Sequence, residues 1–226
     1  MKTRISWIFY CLVSFMLLPS LSAAERFVTN ESNGFTWIQQ GKAYPILVDS
    51  QEDKGVLRAV ANLQTDAGKV TGATPEIIHS PSGNRILIVG SVENSSWIKQ
   101  LVQAGKIPTA DLKGKREKYI LQTVKQPVEG VEEAIVIAGS DKRGTIYGIY
   151  ELSRQMGVSP WYFWADVPVE KHDIISIKEG VYTDGEPAVK YRGIFLNDEW
   201  PSLGGWASAT FGGFNSKSVS YTHLRA

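Results

Sequence analysis

From residue 35 onward the chain alternates between short apolar runs and longer stretches whose apolar positions recur every three or four residues. "FTWI" and "AYPILVD" flank the polar "QQGK", which predicts a hairpin of two strands, the second half-buried and rich in β-formers. In "DKGVLRAVANLQTDAGKVTG", Val56, Val60, Leu63 and Ala67 share one helical face and glycines close the segment, predicting a surface helix packed on a sheet. The pattern then recurs in kind without repeating in sequence. "EIIH" and "RILIVGS" predict strands, "SSWIKQLVQAG" a short helix opened by a serine cap, and "KYILQTVK" and "EAIVIAGS" two further strands. Strands alternating with helices predict an α/β sandwich, a mixed sheet with the helices on one face.

"GSDKRGTIYGIYELSRQMG" runs a strand end into a helix, the layout of a phosphate-binding turn. The cradle such a turn needs is missing, since neither Gly-x-Gly-x-x-Gly nor Gly-Lys-Ser/Thr occurs. The structural reading is better supported. Asp141 complements the helix dipole, Ile146, Ile149, Leu152 and Met156 face the sheet, Gly157 ends the helix, and Gly144 and Gly148 allow close packing. Beyond it, "VSPWYFWADVPVEKHDIISIKEGVYTDGEPAVKYRGIFLNDEW" changes character, with tryptophans, prolines and short strand-like pieces parted by Glu-Gly and Asp-Gly. It reads as the connection out of a first domain, with a boundary near residues 180–190 and a new element starting at Tyr191.

The amino end has a different pattern. "MKTRISWIFYCLVSFMLLPSLSAAE" places Lys2 and Arg4 before an apolar core from Ile5 to Leu18 and small residues at Ser22, Ala23 and Ala24, the layout of a secretory signal peptide cleaved near Ala24. The apolar stretch is short for a membrane span. Export is therefore expected, to periplasm or medium, with no membrane attachment after cleavage. The single cysteine, Cys11, lies inside that segment, so the expected mature chain has no sulfur for a disulfide, a metal or a nucleophile.

Composition narrows the function classes. With 226 residues, 43% hydrophobic and 21% charged, the chain has the make-up of a globular protein, and a net charge of +1 with no basic run interleaved with aromatics argues against nucleic acid. No His-Glu-x-x-His, clustered ligand set or Gly-x-Ser-x-Gly occurs, and His79, His172 and His223 are far apart, so no metal is expected. What remains is Asn197, Asp198 and Glu199 directly after the apolar "YRGIFL". Acidic and amide groups at the carboxyl end of a strand are where a β/α barrel places its chemistry, and Trp200 and Trp206 would offer flat faces to a sugar ring. A solvated polar turn accounts for the same residues, and these residues alone leave both readings open.

"RGTIYGIYELSRQMGVSPWYFWADVPV" and "VKYRGIFLNDEWPSLGGWA" resemble glycoside hydrolase family 115, the xylan α-1,2-glucuronidases. The resemblance is piecewise but ordered over most of residues 35–217, with "SPWYFWADVP" and "YRGIFLNDE" its most specific parts; the glycine-tyrosine helix is shared with family 20 hexosaminidases and family 67 glucuronidases. It implies an enzyme that removes glucuronic acid or its 4-O-methyl ether from xylan with inversion and without a cofactor, using a carboxylic acid and a carboxylate base roughly 6.5–9.5 Å apart. After the signal peptide read over 1–24, it implies a hexosaminidase-N-domain-like α/β domain over 25–185 and the first strand of a (β/α)8 barrel over 186–217. On the carried-over positions, Asp198 is expected nearest the chemistry, with Glu199 a second candidate and Asn197, Trp200 and Trp206 holding substrate. A barrel takes roughly 200 residues or more, so the main acid and base are expected on later strands and this chain alone is expected to be inactive. After Lys217 the pattern departs. "SVSYTHLRA" is similar to ends of unrelated translated fragments, and residues 218–226 are expected to be non-native, the alternative being a divergent natural end. Two other readings stay open: a small exported carbohydrate-binding module using Trp161, Trp164, Trp200 and Trp206, and an exo-glycosidase of another family with the same first domain.

Overall fold

The computed structural model describes residues 25–108, 110, 112–162, 166–193 and 201–213. Its strands form two sheets. The smaller is antiparallel, in the order β1 (Val28–Thr29), β9 (Ile174–Ile177), β2 (Phe35–Gln39), β3 (Lys42–Ala43). The larger runs β10 (Val181–Tyr182), β7 (Tyr119–Lys125), β8 (Glu133–Gly139), β6 (Arg85–Ser91), β4 (Ile46–Val48), β5 (Ile77–Ile78). In it β4, β5, β6 and β8 are parallel; β7 pairs antiparallel with β8, and β10, at the edge, pairs antiparallel with β7 and so runs with the parallel set.

The predicted hairpin is half right. β2 turns through Gln40 and Gly41, both at positive φ, into β3, but the second strand then breaks. Pro45 has no N–H to give a ladder. Its carbonyl instead accepts from Leu87 (2.9 Å), and Ile46 donates to Glu76 (2.7 Å), so Ile46–Val48 crosses into the larger sheet. The tryptophan of "FTWI" sits at a register shift between Thr36 and Ile38, an extra residue on β2 that lets Trp37 and Ile38 both point inward. The buried Trp37 indole donates to the Tyr44 carbonyl (2.8 Å) and closes the hairpin from inside.

Helix α1 (Lys54–Thr71) buries Val56, Val60, Leu63 and Ala67 as their spacing predicts, and Gly72 ends it in the left-handed region at φ 79. Helix α2 (Ser96–Gln103) is opened by Ser95, whose side chain accepts from Ile98 N–H (3.3 Å). Helix α3 (Lys142–Gln155) is opened by Asp141 and buries Ile149 and Leu152, with Met156 at its end. Ile146 is only half-buried and turns toward α1 at Gly55. A Cβ on Gly148 would lie 2.8 Å from the Ile137 side chain and one on Gly144 2.2 Å from the Lys118 carbonyl, so those two glycines set how closely α3 lies on the sheet.

The helices do not share one face. Leu87, Val89, Ile135 and Ile137 join α1 and α3 in one cluster, whereas Ile86, Ile88, Ala134, Val136 and Ala138 join Ile98 and Leu101 of α2 in another. β6 and β8 are apolar at nearly every position, and a strand of that kind needs cover on both sides. The small sheet closes the end of the first cluster through Phe35, Trp37, Ile38, Ile175 and Ile177. β9, inside the stretch expected to lead out of the domain, is thus a central strand of that sheet.

At the amino end of the described fold, Gln155 is buried and stitches the chain to α3. Its Oε1 accepts from the N–H groups of Phe27 (2.8 Å) and Val28 (3.3 Å), and its Nε2 donates to the Glu25 carbonyl (3.1 Å). A last helix, α4 (Ser202–Phe211), carries Trp206 and ends at Gly212, φ 75. Among the described residues no strand lies between β10 and α4, and no helix is long and apolar enough to cross a membrane.

Candidate functional site

Parallel strands in α/β sheets usually open a ligand crevice beyond their carboxyl ends, where helix N-termini converge. Here that edge is filled by the chain itself. Glu52, buried, accepts through Oε1 from the Ser91 N–H (2.6 Å) and hydroxyl (2.9 Å) at the end of β6. Asp49 Oδ2 accepts from the N–H (2.9 Å) and hydroxyl (2.5 Å) of Ser96 at the start of α2. Burial pushes the Asp49 carboxyl up, but the bonds from Ser96 and Gln51 outweigh it and hold the group below the usual carboxylate range. Asp53 caps α1 at Gly55 N–H (2.8 Å) and pairs with Lys142 (3.5 Å); Asp141 caps α3 at Gly144 N–H (2.8 Å). Carboxylates occupy the donors that a phosphate would need and repel it, so "GSDKRG" is a helix cap.

A second cluster joins the loop before β7 to the segment after β10. Glu117, buried, has φ 54, a left-handed conformation uncommon away from glycine, and its N–H donates to Asp141 Oδ2 (2.8 Å). Its carboxylate pairs with Arg143 (3.4 Å) on α3 and accepts from Arg192. Arg192 also donates to the Tyr147 hydroxyl (2.9 Å) and the Val189 carbonyl (2.5 Å), and Arg143 donates to the same hydroxyl (3.0 Å). The Glu117 carboxylate and then Tyr147 raise the Arg192 guanidinium above its ordinary value. Alongside, Arg116 N–H donates to Glu186 (2.8 Å), its guanidinium donates to the Pro187 carbonyl (2.8 Å), and Tyr119 donates to Asp184 (2.8 Å). Burial, then the Asp184 carboxylate, pushes the Tyr119 phenol far up, so it stays neutral and donating.

Beside this cluster lies a cavity of about 320 Å³ lined in part by Ile146, Tyr147, Tyr150, Glu151, Arg154 and Asp184. Its charges are engaged: Arg154 forms a two-bond pair with Glu151 (2.7 and 2.5 Å), and Asp184 holds Tyr119. These pairs anchor α3 and the segment after β10. Among the described residues no group of three metal-ligating side chains occurs. His79 bonds the Val48 carbonyl (2.9 Å), and His172 lies near Asn30 and Glu170 (3.4 Å each).

Of the sequence-predicted site residues, Asn197, Asp198, Glu199 and Trp200 lie outside the described residues, as do Trp164, Cys11, His223, residues 1–24 and residues 218–226. Trp206 is half-buried on α4, its ring edge-on to Phe211 at 5.2 Å. Trp161 is 59% exposed, and among the described residues no ring contact joins it to Trp206. Sequence reasoning missed Glu117 and Arg192. Arg192 precedes a glycine in "YRGIF", but Glu117 is buried in the charge run "GKREKY", which reads as solvated.

The family model described as glycosyl hydrolase family 67 N-terminus matches residues 36–152, from β2 into α3, and that of glycosyl hydrolase family 115 matches residues 184–224. A solved family GH115 4-O-methyl-α-glucuronidase with specificity for decorated arabinogalactans is 32% identical, with a TM-score of 0.67, over 84% of this chain and 24% of its own. The chain therefore spans about a quarter of that enzyme's length. Two hexosaminidases align at lower similarity: a mutant of the Streptomyces plicatus enzyme at 15% identity and TM-score 0.41, and the family GH20 enzyme of Streptomyces coelicolor A3(2) at 16% and 0.40. Each alignment covers 71% of this chain and 25% of the other. No curated protein matches.

Proposed function

The chain belongs to glycosyl hydrolase family 115, and from that premise we propose that it is the amino-terminal part of an exported glycosidase that removes glucuronic acid or its 4-O-methyl ether from polysaccharide side chains. The observation that carries the reading is the 32% identity to a 4-O-methyl-α-glucuronidase over most of this chain, joined to a family 115 match that begins at Asp184. Asp184 is the residue held by Tyr119.

Glucuronoxylan is the proposed substrate. Decorated arabinogalactan, on which the structural relative acts, is the competing backbone, and the uronic acid to be released is the chemistry common to both. Inversion would use an acid for the leaving oxygen and a base for water, with room for that water between them. Asp198 is proposed nearest the reaction, with Glu199 beside it and Asn197, Trp200 and Trp206 on the sugar. The principal acid and base are assigned to segments beyond those of this chain. The α/β domain would serve as the platform, its own crevice stopped by Glu52 and Asp49.

Export with cleavage near Ala24 is part of the proposal. Glu25, Phe27 and Val28 are the residues bonded by Gln155, so a mature end at Glu25 would keep every one of those bonds. Amino-terminal sequencing of the exported protein checks this and should begin at or next to Glu25.

The test of function is to express the complete gene product and incubate it with glucuronoxylan oligomers and with uronate-capped arabinogalactan. Free uronic acid should appear, initially as the anomer opposite to the linkage, and Asp198→Asn should lower kcat by about 10²-fold or more. Residues 25–217 alone should release none. No uronic acid from either substrate would refute the reading.

A further inference from the structure

We propose that Glu117 is a positioning residue for the catalytic segment: its buried carboxylate clamps Arg192 and so sets where and in which direction the chain leaves the α/β domain, five residues ahead of Asn197. The inference rests on the proposed function, in which Asn197, Asp198 and Glu199 meet the substrate.

Glu117 is held on every side. Its φ of 54 lies where side chains are disfavoured, its N–H is taken by Asp141, and its side chain is only 6% exposed. Capping does not explain the arrangement, because Asp141 already serves α3 through Gly144 N–H. Neutralising Arg143 does not explain it either. That side chain is 51% exposed and water would solvate it without a buried partner. What the buried carboxylate adds is the hold on Arg192.

Arg192 is bonded in three directions, to Glu117, to Tyr147 on α3 and to the Val189 carbonyl. A planar guanidinium tied at several donors fixes orientation as well as distance, which an ammonium would not do. The preceding segment is docked at its start, by Asp184 on Tyr119 and by Glu186 and Pro187 on Arg116. Arg192 is the last residue of this docked run to make a side-chain bond to the α/β domain among the described residues.

The experiment is a double-mutant cycle read by hydrogen exchange on the 226-residue chain, followed by kinetics of the complete enzyme. Glu117→Gln and Arg192→Gln should each speed amide exchange across residues 186–193 by about tenfold, and the double variant should be no faster than either single one. Arg143→Gln should change it by less than about twofold. Exchange unchanged in Arg192→Gln, or effects that simply multiply, would overturn the clamp whatever the enzyme does. Should Glu117→Gln fail to fold, Arg192→Gln carries the test, since its side chain belongs to neither buried cluster. In the complete enzyme, Arg192→Gln should lower kcat about tenfold with KM within about twofold, while Arg192→Lys recovers only part of the loss. A kcat unchanged beside faster exchange would overturn the positioning role. A wild-type complete enzyme that releases no uronic acid overturns the functional reading, and the exchange cycle still decides the clamp.

Discussion

Two polar edges of the α/β domain use similar residues to opposite ends. At the carboxyl ends of β4 and β6, Asp49 and Glu52 fold back onto Ser96 and Ser91, and the bonds stay inside the domain. At the loop before β7, Arg116, Glu117 and Tyr119 reach across to Asp184, Glu186, Pro187 and Arg192, residues 65–75 positions later in the chain. The first edge is where an α/β sheet ordinarily receives a ligand, and its own carboxylates exclude one. The second edge grips the segment in which the family 115 match begins. On the proposed reading, the domain serves as a mount for the chemistry of another segment. Mutations at the first edge should therefore act on global stability, and mutations at the second on the order of residues 183–193.

The largest effect is expected where both edges meet. A Cβ on Gly144 would fall 2.2 Å from the Lys118 carbonyl and 3.0 Å from its nitrogen, backbone atoms that cannot swing aside. Gly144→Ala should cost about 3 kcal/mol, or roughly 6–12 °C in Tm for a domain of this size. It should also loosen the Asp141 bonds to Gly144 and Glu117 together. A thermal melt checks the first outcome and exchange across 183–193 the second. A melt unchanged within about 1 °C would mean that α3 can lift without cost, and the two edges would then be independent.

Glu52→Ala tests the closed edge alone. It removes the acceptor of the Ser91 N–H and hydroxyl, both buried, and should cost about 2 kcal/mol. Exchange in residues 183–193 should change only as much as global stability does. If inorganic phosphate at millimolar concentration then stabilised Glu52→Ala and not the wild type, the edge would be a stoppered ligand crevice and the comparison would sharpen. Tyr119→Phe probes the open edge. It deletes the bond to Asp184 and should cost about 1 kcal/mol or less globally, while exchange near 184 rises several-fold. A larger loss in Tm than that of Glu52→Ala would reverse the assignment of roles.

The range of the forces involved decides how much of this was legible in the residues. The face of α1 and the caps of α2 and α3 depend on neighbours within four positions, and Val56, Val60 and Leu63 or Ser95 and Asp141 announce them. The break at Pro45 was readable from its missing N–H, but the apolar "PILV" after it has the same pattern in either sheet. The side taken by α2 was signalled only indirectly, by strands apolar at every position. The place of β9 in the small sheet could not be read, because its partners Val28 and Phe35 are more than 140 residues away and three isoleucines with one serine among charges fit many contexts. Glu117 and Arg192 failed for the same reason, since an ion pair across 75 residues leaves no local period. The candidate site "NDE" was found from chemistry and resemblance, and its residues lie outside those described.

The smallest expected effect discriminates by its pH dependence. Asp49→Asn keeps an acceptor for Ser96 but removes a negative charge from the N-terminus of α2, worth about 0.5 kcal/mol. The carboxyl is held below its ordinary value in the folded chain, so it binds its proton less readily folded than unfolded. Its contribution is then fully present above the unfolded value of about 3.9 and fades as pH falls through the lower folded value. Wild type and Asp49→Asn should differ by a constant increment from about pH 5 to 7, and their denaturation midpoints should converge in acid below about pH 3. An increment that grows in acid would carry the wrong sign for a depressed carboxyl. It would mean that Asp49 is closed off by burial, with the Ser96 bonds secondary, and the first edge would no longer be held by charge.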